Sequence, residues 1–236
     1  MIYLSASSIK DFISCERKYW YRRFASDRRA TSIEAETGTV VHKAIEKYWN
    51  KPKQGYNYLS RYKEPYDSKK AVRALDTFYD KFQSLLSKDD LVEHEFSLPY
   101  SVGVDLIGMF DRVTPMGIIY DWKTNNKLPV NLSSDPQFIL YYYAYKNLHG
   151  KPPASLYFAS LKFGRLVKFN YNKTKEDILL KEIIPDMLEH IDAEKFNPTG
   201  VFRFTTCKYC FFKEHCHKSL GLEDKSELDS TQFNFG

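Results

Sequence analysis

No stretch of this 236-residue chain is apolar for long enough to span a bilayer, and no segment repeats. A membrane-embedded protein and a repeat array are both excluded on that reading. The opening residues, MIYLSASSIKDF, place a serine cluster and an aspartate where an exported leader needs an apolar run. The expectation is a cytoplasmic protein, made by a cell or encoded by a virus. Cysteine is scarce too: Cys15, Cys207, Cys210 and Cys216 are all there are. Three of them crowd into CKYCFFKEHC, and the fourth stands alone in DFISCERKYWYRRF. Two disulfides are possible on paper, but a reducing compartment and the CxxC spacing favour a metal centre. One distant ligand is affordable because loop-closure entropy grows only logarithmically with loop length. Spacing alone is compatible with a zinc ion held by four thiolates.

Charge is unevenly spread. The net value is +5, with an isoelectric point near 8.8, which suits a polyanionic partner. Arg17, Lys18, Arg22, Arg23, Arg28 and Arg29 interleave with Tyr19, Trp20, Tyr21 and Phe24. Single-stranded nucleic acid uses such pairings, phosphates on cations and bases on rings. The same pattern also describes an amphipathic helix with its rings in the core, and the two readings stay open. Arg22 and Arg23 are candidate DNA contacts.

The hydrophobic period divides the chain. Ser5 to Ser8 opens a helix that carries Ile9, Phe12, Ile13, Trp20 and Phe24 at helical spacing. A second helix is predicted from Glu34 to Trp49, a loop to Asp67, and a third helix to Leu86. Three strands follow, LVEHEFSLPY, VDLIGMFDRV and GIIYDWK, the last two joined by a TPMG turn. A helix through QFILYYYAYKNL, a strand pair in ASLYFASLKF and RLVKFNYN, and a long helix from Lys175 to Phe196 complete the pattern. Helices around strands of this order predict an α/β fold with a mixed central sheet.

The chemistry sits at the strand ends. Asp121 and Lys123 are two apart on one strand and share a face, and a neighbouring strand can bring Asp111 alongside. Two carboxylates so close repel, and a divalent cation between them turns that repulsion to use. A lysine beside the cation can orient water and stabilise charge on a phosphate. The implied reaction is phosphodiester hydrolysis. Glu93 and Glu95, on one face of the preceding strand, could supply a further carboxylate, and the sequence assigns neither.

Aspartate, nine residues and then DWK, after a glycine-bearing strand, resembles the PD-(D/E)XK nuclease superfamily and its RecB-like branch. GTVVH places His42 where that branch carries a histidine metal ligand, and QFILY supplies its glutamine and tyrosine, Gln137 and Tyr141. The four cysteines resemble the iron–sulfur staple of AddB-type nucleases and of the CRISPR-associated Cas-four exonucleases. Phe110 stands where the superfamily's name has a proline.

The resemblance implies a restriction-endonuclease-like core over residues 31–195. It also implies a [4Fe–4S] annex from residues 1–30 and 196–220, the two together forming one domain over 1–220, and a loose tail over 221–236. It further implies manganese or magnesium on His42, Asp111, Asp121 and the Trp122 carbonyl, with Lys123 activating water. Cys15, Cys207, Cys210 and Cys216 would hold the cluster. The activity would be exonucleolytic on single-stranded DNA ends, in CRISPR spacer processing or in repair and recombination, with an integrase or helicase as partner. A scaffold that binds DNA without cutting it is the rival from another class, and RNA a rival substrate.

Overall fold

The structure, a computed structural model, describes residues 1–24, 32–198 and 206–219. Arg28, Arg29 and the expected 221–236 tail lie outside the described residues. The chain runs β1 (Ile2–Ser5), α1 (Ala6–Ser14), α2 (Glu16–Phe24), α3 (Ile33–Tyr48), α4 (Pro52–Arg61), α5 (Ser68–Thr77), β2 (Leu91–Ser101), β3 (Val104–Val113) and β4 (Ile118–Lys123). It continues through α6 (Pro136–His149), β5 (Ser155–Ser160), β6 (Arg165–Lys168), α7 (Lys173–Ile178), α8 (Ile184–Asp192) and α9 (Lys213–Ser219). It divides into two compact units, one of residues 1–7 and 29–185, the other of residues 8–28 and 186–236.

The first unit is built on a six-stranded mixed sheet in the order β1-β3-β4-β5-β6, with β2 added against β3. β1 runs parallel to β3 and β4 parallel to β5, and the remaining pairs are antiparallel. Strand alternation sorts the side chains. Tyr120, Trp122 and Ala159 join one apolar cluster with Val40, Val41, Ala44, Leu75 and Phe78 of the α3–α5 side. The alternate residue Phe158 meets Phe138 of α6, and Phe96 and Phe110 of β2 and β3 meet Tyr141. Asp135 caps α6 by accepting the Gln137 amide, and Gly150, at φ 67°, ends it in the left-handed conformation that glycine takes without strain.

What positions the site is a gap in the ladder. β2 covers one edge of β3 along its length. The other edge is shared: β1 pairs with residues 104–107, and β4 pairs only with Arg112 and Val113. Residues 108–111 therefore have no strand on that edge, and Asp111 stands where β3 and β4 part.

Beside it, Arg112 is buried. Its Nε meets Asp90 Oδ2 at 2.9 Å, its Nη2 donates to the Ser87 carbonyl at 2.7 Å, and its guanidinium lies 4.8 Å from the Trp49 ring centroid. Both charged side chains are 1% exposed. Removing one partner leaves the other buried and unpaired, which costs about 3–5 kcal/mol. Arg112→Ala is expected to lose that much in urea unfolding, and the double variant Arg112→Met/Asp90→Leu far less. Equal losses would show the cost to be one of volume rather than of stranded charge.

The second unit brings the chain's two ends together. Asp11, buried on α1, takes Lys18 at 2.7 Å and Arg22 at 3.0 Å. Tyr21 of α2 stacks on Phe212 with centroids 5.4 Å apart, and its hydroxyl lies 3.0 Å from Ser219 Oγ on α9. Arg17 also donates to Ser219 at 2.8 Å.

Several elements depart from expectation. The single first helix is broken at Cys15 into α1 and α2, and Ile2–Ser5 forms a strand before it. The supposed 50–67 loop contains α4. The third helix ends as α-helix at Thr77, widens through a π turn, Phe78–Phe82, and tightens into a 3-10 turn, Gln83–Leu85. The long last helix is interrupted by a π turn at Leu179–Ile183 and stops at Asp192.

Candidate active site

Asp111 closes the fork between β3 and β4. Its Oδ2 accepts the Trp122 amide at 2.7 Å, replacing the ladder bond that the parting strands give up. His42, on α3, reaches the same point from the helical side. Its Nε2 donates to the Trp122 carbonyl at 2.8 Å, and its Nδ1 lies 3.5 Å from Asp111 Oδ2. Asp121, fully buried one residue before Trp122, projects to the opposite face of β4. There Lys123 Nζ lies 2.9 Å from its Oδ1 and 2.8 Å from its Oδ2.

Gln137 of α6 extends this arrangement. Its amide nitrogen reaches Asp121 Oδ1 and the Tyr141 hydroxyl, each at 3.0 Å. The Tyr141 hydroxyl in turn donates to the Met109 carbonyl at 2.5 Å, on the free edge of β3. One hydrogen-bonded chain thus links Lys123, Asp121, Gln137, Tyr141 and the edge of β3. Burial, followed by the charges of Asp121 and Asp111, holds the Tyr141 hydroxyl well above its ordinary pKa, so it stays a donor. The glycine of the strand has a packing reason: a Cβ on Gly108 would meet the Phe96 ring at 2.4 Å.

A residue that the sequence left unassigned joins the group. In the β2–β3 register, Val92 faces Arg112 and His94 faces Phe110, which sets Glu93 opposite Asp111. Glu93 has φ 44°, a left-handed conformation uncommon for a side-chain-bearing residue and often found at functional sites. Glu95, its rival, is exposed. His42, Glu93 and Asp111 each offer a ligand atom, and these atoms lie within 4.8 Å of one another. Asp121 is not in that trio. The Trp122 carbonyl, expected as a ligand, here receives the His42 proton. Arg22 and Arg23 are exposed on α2 in the other unit.

The electrostatics suit a cation. Burial and the Asp111 charge raise Glu93 to about 7. Burial raises Asp121 to about 6, against the pull of Lys123 and with the push of Asp111. Burial alone would lower His42, but Asp111 outweighs it and lifts the imidazole to about 9. Asp111 is likewise penalised by burial, yet His42 carries it below the usual carboxylate range. Lys123, though burial opposes its charge, is raised by Asp121 and Asp111. The carboxylates are in close quarters, and the imidazolium beside them holds a proton that a divalent ion can displace. The donor set, one imidazole nitrogen and several carboxylate oxygens, fits manganese or magnesium, with manganese the more tolerant of imidazole.

A mixed sheet with helices on both faces, forked around buried carboxylates and a lysine, is the restriction-endonuclease-like arrangement. The chain belongs to the PD-(D/E)XK nuclease superfamily, whose family model matches residues 3–217. Its fold is similar to that of a Eubacterium rectale protein whose crystal structure names it a "Putative exonuclease". The TM-score is 0.57 at 14% identity, over 87% of each chain. No curated protein matches by sequence. No helix among the described residues is long and apolar enough to cross a membrane.

Proposed function

We propose that this chain is a divalent-cation-dependent DNA nuclease acting on single-stranded ends. His42, Asp111, Asp121 and the Trp122 carbonyl would hold manganese or magnesium, with Glu93 beside them, and Lys123 would serve the reacting phosphate. The observation that carries the reading is the forked strand pair: Asp111 accepts the Trp122 amide where β3 and β4 part, and Asp121 and Lys123 pair on either side of Trp122. The bound cation would supply Lewis acidity toward the phosphate and lower the pKa of a water. The residues do the rest. Asp121 holds the Lys123 ammonium forward, where it can donate to a phosphate oxygen as charge develops. Gln137 fixes the Asp121 carboxylate, and Tyr141 fixes Gln137. Asp111 keeps the fork open by holding the Trp122 amide.

Cys15, Cys207, Cys210 and Cys216 would hold a [4Fe–4S] cluster whose task is structural. All four belong to the second unit. Burial raises the Cys216 thiol against the pull of Arg17, and the charges of Cys15, Cys207 and Cys210 add to the rise. Such a group fits a cationic cluster or zinc. CRISPR spacer processing and DNA repair or recombination, with an integrase or helicase partner, are the contexts that suit this chemistry.

The test is to purify the chain without oxygen, measure its iron, and incubate it with end-labelled single-stranded DNA and manganese. Bound iron and shortening of the strand from an end are expected. A zinc-loaded, colourless protein would overturn the cluster, and intact DNA under every divalent ion would overturn the nuclease.

Cation binding should also depend steeply on pH. A ligand with a raised pKa keeps its proton to higher pH, and the cation must displace it. With His42 at about 9 and Glu93 at about 7, manganese affinity should fall as pH falls. From pH 8 to pH 6 the loss should be about a hundred-fold from His42 alone, with more from Glu93. Calorimetry in buffers of different ionisation heat measures both the affinity and the protons released. A flat profile without proton release would contradict this ligand set.

A further inference from the structure

A second surface of the first unit is built for a strand, and it begins next to the proposed active site. On α3, Lys43 and Lys47 follow His42 by one and five residues, so Lys47 lies about 7.5 Å further along the helix axis. Tyr48 at the end of α3, Tyr58 on α4, and Tyr62 and Tyr66 after it form a row of rings. Tyr48 and Tyr58 have centroids 5.9 Å apart, Tyr58 and Tyr62 6.1 Å, and Tyr62 and Tyr66 5.8 Å. The Lys47 ammonium sits 5.7 Å from the Tyr58 centroid and that of Lys43 6.0 Å from Tyr62. A cleft of about 420 Å³ opens here, lined by Tyr58, Arg61, Tyr62, Lys63 and Glu64.

The charge is one-sided. Residues 43–64 hold six lysines and arginines against two glutamates, a net of +4 (6 − 2). Lys43, Lys47, Arg61 and Lys63 are exposed, and among the described residues no carboxylate pairs with any of them. Core packing needs only one edge of these half-buried rings and does not call for unpaired cations along them. Positive side chains alternating with flat faces match phosphates alternating with bases.

The row is also tied to the catalytic helix. The Tyr62 hydroxyl donates to Glu36, and the Asp67 amide to Thr37 Oγ1 at 2.9 Å, both on α3. Another cleft, of about 430 Å³, holds Lys70 of α5 with Gly38, His42 and Lys123.

We propose that α4 and the adjoining flank of α3 bind single-stranded DNA, with bases stacked on Tyr58 and Tyr62 and phosphates on Lys43, Lys47, Arg61 and Lys63. The proposal deepens the nuclease reading and rests on it for the identity of the polymer. The strand would be held beyond the reacting phosphate, on a surface that reads no sequence.

The experiment uses the full chain in EDTA, so that nothing is cut, with a fluorescent oligothymidylate of about twenty nucleotides followed by anisotropy. Tyr58→Leu, which keeps an apolar side chain, should weaken binding about ten-fold or more with little change in salt dependence. Arg61→Glu/Lys63→Glu should weaken it and reduce the slope of log K against log salt by about 1.4, two phosphates' worth. Wild-type chain irradiated with a 5-iodouracil oligonucleotide should crosslink within residues 52–66, which needs no variant to fold.

Wild-type affinity in both variants, or crosslinks only elsewhere, would overturn the track. Equal competition by polyglutamate would overturn the base-stacking role, and equal binding of a duplex the single-strand claim. Cleavage that persists while the track fails leaves the nuclease standing. Track binding without cleavage under any divalent ion would sink the nuclease alone.

Discussion

Asp121→Asn is expected to slow manganese-dependent DNA cleavage by about a thousand-fold while leaving the chain folded and no less stable. The carboxylate is fully buried, and burial together with Asp111 raises it to about 6. At neutral pH it is therefore mostly ionised in a place that resists ionisation. A carboxyl group with a raised native pKa binds its proton more tightly folded than unfolded, so stability is lost as pH rises through that value. An asparagine of the same shape has no charge to keep there. What it loses is function: a negative ligand for the cation and the anion that holds Lys123. Several kcal/mol of transition-state stabilisation rest on such groups, which sets the thousand-fold scale. Single-turnover cleavage and urea unfolding at pH 7.5 measure the two halves. A variant that cuts normally would remove Asp121 from the chemistry, and one that unfolds easily would give it a structural role instead.

The strands were legible because alternation and turn residues speak locally. LVEHEFSLPY, VDLIGMFDRV and GIIYDWK fall on β2, β3 and β4. β1 was hidden because four residues carry little period and its partner is a parallel strand about a hundred positions away. α4 was hidden by its own composition, since a proline and a glycine inside KPKQGYNYLSRY read as a loop. Pro52 sits at the start of that helix, where its missing amide costs nothing. Gly55 is tolerated because the Tyr79 hydroxyl occupies its Cβ position, 2.2 Å away. Neither fact is local.

The site shows the same division. Strand spacing selected Asp111, Asp121 and Lys123, and the resemblance added His42, Gln137 and Tyr141; hydrogen bonds join Lys123, Asp121, Gln137 and Tyr141, and Trp122 joins Asp111 to His42. Glu93 could not be separated from Glu95, because strand alternation puts both on one face. What separates them is the left-handed backbone at Glu93 and its place opposite Asp111. The fork itself was invisible. That β4 bonds β3 at only two positions depends on β1 having taken the other end of the same edge.

Lys123→Met should separate holding the cation from using it. The ammonium lies within 2.9 Å of both Asp121 oxygens and adds a positive charge next to the proposed cation. Removing it makes the site more negative, so manganese affinity above pH 8 should stay at the wild-type value or rise. Cleavage should nonetheless fall by about a hundred- to a thousand-fold, the usual cost of deleting one donor aimed at developing charge. The pH–rate profile supplies the sign test. Lys123 pulls the Asp121 pKa down against burial, so without it that pKa must climb above about 6. The acid limb of the profile should then move to higher pH, because Asp121 must still ionise to act. Lys123→Arg, which keeps the charge but spreads it over a planar fork, should restore the acid limb while recovering only part of the rate. Loss of manganese binding in Lys123→Met would mean that the lysine shapes the site, and an unmoved acid limb that Asp121 titrates independently of it. Undiminished binding, slower cutting and a shifted limb together are what a lysine held against Asp121 and pointed at a phosphate requires.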